Sequence, residues 1–524
     1  MSDDTHTGPR ADSDTPNRSK LTLVLACLTL VCFGAQLLAP FLTYMVVGAP
    51  RPYEGRNFDA YPRSGQLLDN DSEAREQFAG AFEDRLLLRK LSIGLKNWLS
   101  FRLFGVVDTP QLVSGTDGFF YLKRSLEPFD CDTEEEIVNR LASFELYMAI
   151  AANSGEDLLV TMSPNKASVT PDALRGRVGV YAQCYGRLSR FAAQEMERRD
   201  YGQFINHQPS IEALIRETGE GYFRTDTHWQ HHIQLAVMTD LYSHARPGGA
   251  PVFSTAHIEA GDPARTDLAS NLGWDHGEPT LEVSTEDWSR IAAEAGPIEG
   301  RTIIFHDSFY GGMSRRWPEF FEDAEAVDLS RLSATRYLAS TASRDLFTTL
   351  EAADRILINL VERALLGQMS VADLSLSRTV GYHFVQANLR LGEQACQPGS
   401  GELLPIEVET TGLRELGDGR YQQNTYPTIT IEPLSAPTTE RICVSVRMTT
   451  RNAAETRISL PRGNDDFNRH NRFHVLPLAE TGSELVEFSL ILPSAYSSGR
   501  MKIEPFVESG ADLTIERIEV RAIP

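Results

Sequence analysis

Positive charge is in short supply in this chain of 524 residues, where 50 Lys and Arg stand against 72 Asp and Glu, a formal net charge of −22. Binding nucleic acid requires a basic surface that displaces counterions, so nucleic acid is not an expected partner. Cysteine is also sparse, six in all. None forms a CxxC pair or a Cys/His cluster at zinc-ligand spacing. His228, His231 and His232 lie close together, but no carboxylate at ligand spacing completes a set, so no metal and no cofactor is expected.

Charge is missing altogether between Lys20 and Arg51, and residues 21–38 are almost continuously apolar before Pro40. About 20 apolar residues, rising 1.5 Å each, cross the hydrocarbon core of a bilayer. A cleaved signal peptide has a shorter apolar region ending at a small-residue site, which Gly34 and Ala35 do not supply convincingly. The expectation is a cytoplasmic tail over 1–20, a transmembrane helix over 21–48 and an exported body. On that side Cys131, Cys184, Cys396 and Cys443 are expected to form two disulfides. Three pairings are open, and proximity in sequence favours Cys131 with Cys184 and Cys396 with Cys443.

The body is too long for one core and is expected to divide at about residue 370. Before that point short apolar strands alternate with helices. Phe78, Phe82, Leu86, Leu91, Leu95 and Leu99 mark a helical pattern over 73–103, with Asp84 to Arg89 in its middle. Thr133 and Glu136 form a capping box ahead of an apolar stripe through Ile137, Leu141, Phe144 and Met148, ended by Gly155. Strands are expected at 158–162, 203–205, 302–305 and 356–361, with helices over 178–198, 211–217 and 230–244. This alternation specifies a three-layer α/β domain over 49–370 around a parallel sheet, whose ligands bind beyond the carboxyl ends of the strands. After 370 helical periodicity largely disappears, and short alternating segments at 407–410, 428–431, 442–448, 485–492 and 514–520 predict a β-sandwich over 371–524.

Two segments carry chemistry. Asp226 and His228 lie in Thr225-Asp-Thr-His-Trp229, and Ser308 follows the apolar strand that ends at His306 and Asp307. A serine hydroxyl attacks a carbonyl only if an imidazole takes its proton, and the imidazole works best when a carboxylate fixes its tautomer. Ser308 is thus the candidate nucleophile, His228 the general base and Asp226 its orienting carboxylate. A two-residue gap permits this only in a loop, since positions i and i+2 of a helix point apart. An alternative role for Asp226 is to cap the helix that follows. The Ser308 amide is the expected first donor to the oxyanion, with Gly118 or Asn165 as candidates for a second. Arg315, Arg316 and Trp317 are a candidate basic and stacking surface for a sugar acid, and Phe467, Arg469, His470, Arg472 and Phe473 a candidate polymer contact.

These segments resemble the alginate O-acetyltransferase family of AlgJ and AlgX proteins. Asp226-Thr-His-Trp229 is similar to the family's Asp-x-His-Trp signature, and Asp307-Ser-Phe309 to its Gly-Asp-Ser-Phe motif. Gly115-Thr-Asp-Gly118, Asp84 to Arg89, Ser163-Pro-Asn-Lys166 and Val361-Glu-Arg363 follow the family's order. The resemblance spans roughly residues 50–370 and implies an SGNH hydrolase-like catalytic domain followed by a carbohydrate-binding β domain. It further implies acetyl transfer to hydroxyls of an exported polysaccharide in the periplasm. A membrane-bound O-acyltransferase partner would deliver the acetyl group, with the chain held as a single-pass inner-membrane protein. One departure is His306, where the family has glycine; a side chain there would either narrow the approach to Ser308 or reposition backbone donors. An acetylesterase with the same three residues, and a polysaccharide-binding scaffold without activity, are the alternatives.

Overall fold

In the computed structural model the described residues are 22–31, 33–34, 38, 44–45, 58–63, 66, 72–85, 87–107, 109, 111–126, 133–174, 179–198, 204–246, 254–274, 277–329, 348–366, 375–437, 439–451, 453–460, 472–475, 483–494, 500–507 and 512–524. The chain forms two compact units, one of 1–114 with 265–277 and a second of 115–264 with 278–524.

The first unit corrects two expectations. Among the described residues no helix is long and apolar enough to cross a membrane. The expected transmembrane helix, and the single-pass inner-membrane location built on it, are therefore overturned. The helical pattern over 73–103 is also two helices, α1 (Ser72–Asp84) and α2 (Leu87–Phe104). Asp84 lies at their junction rather than inside a helix. It is buried, accepting from the Asp59 amide at 3.0 Å and from Arg89 Nη1 at 3.0 Å. Within the same unit α2 presents Gly94 and Asn97 to the 272–274 segment: Asn97 Nδ2 donates to the Leu272 carbonyl, and Trp274 Nε1 to that of Gly94, both at 3.2 Å.

The second unit holds a five-stranded parallel sheet. Its strands are β1 (Leu158–Ser163), β2 (Phe204–Asn206), β3 (Ile298–His306), β4 (Phe321–Asp328) and β5 (Arg355–Val361), in the order β2-β1-β5-β3-β4. All four pairings are parallel. Every residue of β1 is buried, as a strand covered on both faces requires. Leu159, Ile205, Ile304 and Leu357 enter one cluster with Ile211, Ile233, Val237, Leu241, Trp288 and Ile291, which come from helices and the turns before them. Helix α3 (Glu134–Ser154) begins at the expected box: the Glu136 amide donates to Thr133 Oγ1, and Glu136 Oε2 accepts from the Thr133 amide at 2.7 Å. Its C-cap is Gly155 at φ 73°, a left-handed turn that a side chain would strain. Helices α4 (Gly179–Arg198), α5 (Gln208–Thr218) and α6 (Gln234–Ala245) follow.

The region after 370 opens with a helix where none was expected, α7 (Ser375–Ala395). Then come β6 (Glu402–Leu404), β7 (Ile406–Gly417), β8 (Arg420–Pro433), β9 (Arg441–Arg451), β10 (Ala453–Ser459), β11 (Arg472–Val475), β12 (Ser483–Pro493), β13 (Met501–Val507) and β14 (Asp512–Ile523). They pair antiparallel along β11-β10-β13-β8-β14-β9-β12, with β6 beside β14 and β7 beside β8. The β-rich region expected after 370 is thus present, and its strands pair antiparallel, in contrast to the parallel sheet before it. Long β8 pairs with β14 at Arg420 to Gln422 and with β13 at Ile429 to Ile431, which joins all nine strands by hydrogen bonds. Cys396 and Cys443 form a disulfide. Cys131, the side chain of Cys184, Phe467, Arg469 and His470, and the side chains of Arg472 and Phe473 lie outside the described residues.

Candidate active site

Adjacent strands β1, β5 and β3 end side by side, and the segments leaving them build the site. Beyond β3, Asp307 caps the short helix Ser308–Gly311, accepting from the Phe309 amide at 2.9 Å through Oδ1. Its Oδ2 accepts from the Val361 amide at 2.6 Å, tying the end of β3 to that of β5. Burial pushes the Asp307 carboxyl above its ordinary value, and the two amides pull it back. Asp307 therefore fixes the turn and leaves the Ser308 side chain exposed.

The partner loop comes from the other direction. Tyr222 and Trp229 form an antiparallel bridge, so residues 223–228 turn back on themselves. Within this turn the His228 amide donates to Asp226 Oδ1 at 2.9 Å, and that oxygen lies 2.7 Å from His228 Nδ1. The opposite ring nitrogen, Nε2, is 2.9 Å from Ser308 Oγ. With Nδ1–H assigned to the carboxylate, Nε2 is free of its proton and accepts from the serine hydroxyl. The His228 ring packs on Phe309 with centroids 4.9 Å apart, and Trp229 meets Phe309 edge-on at 5.0 Å. Asp226 is 7% exposed and Ser308 is open to solvent, so the chain of three groups runs from interior to surface. Asp226 does not cap the following helix, whose N-cap is Gln230 without a side-chain bond.

A second buried chain lies under the serine helix. Tyr310 Oη is 2.6 Å from His207 Nε2, His207 Nδ1 is 2.8 Å from Asp240 Oδ2, and Ser210 donates to Asp240 Oδ1 at 2.6 Å. Burial holds the Tyr310 hydroxyl far above its ordinary value, so it stays protonated. This anchors the helix on which Ser308 stands.

The remaining sequence-predicted residues fare differently. Trp317 is 2% exposed, edge-on to His306 at 5.2 Å, and offers no face to a sugar. Arg316 is held by Glu319 at 3.2 Å and Thr285 at 2.9 Å. Only Arg315 of the three is exposed. Asn165 is buried, with its amide donating to Glu362 at 2.8 Å and its Oδ1 accepting from Arg363 at 2.8 Å. Gly118, at φ 80°, follows Asp117 at φ 55° in a tight turn. His306 is buried, with Nδ1 2.8 Å from the Asp307 carbonyl, and Ser308 is exposed despite it. Sequence reasoning assigns no role to Lys166, Glu278 or Arg363. Lys166 and Arg363 stand in segments that follow the family's order; nothing in the sequence marks Glu278.

Residues 112–246 match the family model for the SGNH hydrolase-like domain, acetyltransferase AlgX; this stretch includes Asp226 and His228, and Ser308 lies beyond it. No curated protein matches the chain. Among solved structures the chain is similar to the O-acetyltransferase domain of Pseudomonas putida AlgJ, at 16% identity and a TM-score of 0.34, over 52% of this chain and 100% of that one. Bacillus cereus PatB1 is similar at 11% identity and a TM-score of 0.35, over 50% of this chain and 98% of that one. For Pseudomonas aeruginosa AlgX the values are 11%, 0.33, 79% and 95%. The family match over residues 112–246 supports the resemblance to AlgX/AlgJ-like O-acetyltransferases read from the sequence.

Proposed function

We propose that this chain transfers acetyl groups to polysaccharide hydroxyls through an acetyl-serine at Ser308. The observation that carries the reading is the unbroken chain from Ser308 Oγ to His228 Nε2 at 2.9 Å and from His228 Nδ1 to Asp226 Oδ1 at 2.7 Å. Ser308 Oγ attacks the acetyl carbonyl of the donor as His228 takes its proton. The imidazolium, stabilised by Asp226, returns that proton to the leaving oxygen as its bond to the acetyl carbon breaks. A sugar hydroxyl then gives its proton to His228 and attacks the acetyl-serine, and the same proton restores Ser308. The Ser308 amide is the first donor to the oxyanion, where one well-placed donor lowers the barrier by about 3–4 kcal/mol. The family resemblance makes a membrane-bound O-acyltransferase the source of the acetyl group and an exported polysaccharide its destination.

The test is an incubation of the purified chain with an acetyl ester, with and without oligosaccharide. Acetylated oligosaccharide is expected only when both are present, and Ser308→Ala is expected to lower its formation by about 1,000-fold or more while the melting temperature holds. Transfer by Ser308→Ala at the native rate would remove the serine from the mechanism. Free acetate formed equally with and without oligosaccharide would assign water as the acceptor.

A further inference from the structure

Just past β1, Lys166 is only 5% exposed. Its Nζ donates to three backbone carbonyls: Phe120 at 2.7 Å, Arg224 at 2.7 Å and Asp226 at 2.9 Å. The Phe119 and Tyr121 rings flank the ammonium at 5.3 and 5.2 Å. Two of those carbonyls belong to the loop that carries Asp226 and His228. The amides of the same loop are held by a carboxylate: Arg224 N donates to Glu278 Oε1 at 3.0 Å and Thr225 N to Oε2 at 3.2 Å. Burial pushes the Glu278 carboxyl up, and the Thr225 amide and the charge of Lys166 oppose that push. A cation on the carbonyls and an anion on the amides thus grip one short stretch of backbone.

Only an ammonium fills this position. Three acceptors converge on one point, and among side chains only lysine supplies three donors from a single atom. Burying a charge costs several kcal/mol unless its hydrogen bonds are satisfied, so a mere packing role would be served better by an apolar side chain. What the charge secures is the peptide of Asp226, whose side chain must meet His228 within tenths of an ångström.

We infer that Lys166 is the positioning residue of the catalytic loop, setting the Asp226–His228 geometry through the loop backbone without touching substrate. This rests on the acetyl-serine reading above. The test uses the full chain as Lys166→Met, which keeps the length and loses the charge, and as Lys166→Ala with added propylammonium. Misplacing a reacting group by about 1 Å costs roughly 100-fold in rate. Lys166→Met is accordingly expected to lower kcat for Ser308 acetylation by about 100-fold, with KM for the acetyl donor within about twofold. Propylammonium, and not neutral propan-1-ol, is expected to restore much of the rate to Lys166→Ala. A native rate in Lys166→Met overturns the inference alone. So does a loss in Lys166→Ala that the cation fails to recover, which would mark a general packing role. Absence of any acetyl-serine in the native chain overturns both this inference and the function it rests on.

Discussion

His232 stands four residues after His228 and faces the interior rather than Ser308. It is fully buried, with Nε2 3.1 Å from the Glu220 carbonyl, an arrangement that suits the neutral ring. Burial, the largest cause, lowers its pKa from the ordinary 6.5, and the Glu220 carbonyl offsets this in part. Below about pH 6.5 the unfolded chain therefore binds a proton that the native ring refuses. Stability present above that pH is lost as pH falls through 6.5 toward the native value, at up to about 1.4 kcal/mol per pH unit. His232→Gln, which keeps a donor for Glu220, is expected to flatten the decline between pH 6.5 and 5 when urea unfolding is followed at several pH values. An equally steep decline in the variant would place the acid sensitivity elsewhere. Asp226, His228 and Ser308 are readable because few residue types suit the proton relay proposed for them. Lys166 and Glu278 act on carbonyls and amides, which every residue has, so nothing in the sequence marks their targets. Trp317 reads as surface in the sequence because Arg315 and Arg316 stand beside it, whereas its ring faces His306 and Tyr310.

At the scale of elements, α7 is instructive because its inward face is not a plain apolar stripe. Phe384, Val385 and Ala387 are buried, and His383, Asn388 and Gly392 are buried among them. Asn388 exchanges two hydrogen bonds with the Ile491 backbone of β12, donating at 2.9 Å and accepting at 2.8 Å. Gly392 lies so close to the strand that an added Cβ would meet the Ser489 carbonyl. The apolar period of α7 is weak because an amide and a bare backbone share its inward face with the apolar residues. The strands of the same region are legible at their centres, 442–448 within Arg441–Arg451 for instance, because Ile442, Val444, Val446 and Met448 are apolar and buried there. Gly392→Ala would ordinarily favour an exposed helix. Here the methyl group strikes fixed backbone, so it is expected to destabilise by about 1–3 kcal/mol in urea unfolding. A stabilised Gly392→Ala would mean that α7 does not rest on β12 so closely.

For the molecule as a whole, the disulfide between Cys396 and Cys443 decides how α7 and the nine strands hold together. It closes a segment of 47 residues that contains β6, β7 and β8, and it packs against Ile491, Ile523 and Leu391. A loop of that length restricts the unfolded chain enough to favour the native state by about 4 kcal/mol. The bond ties α7, which leads out of the half carrying Ser308, to β9, which lies between β14 and β12 in the strand order. Cys396→Ser with Cys443→Ser is therefore expected to lose about 4 kcal/mol in urea unfolding, and a reductant to bring the native chain to the same midpoint without affecting the variant. The groups that position Ser308, among them Asp307, Val361 and Tyr310, make no use of either sulfur. Under conditions where the variant remains folded, its Ser308 should acetylate within about twofold of the native rate, since distant sites contribute independently. If acetylation instead fell in step with stability while the protein was still folded, the β-rich region would have to support the geometry of His228 and Ser308 as well as its own fold.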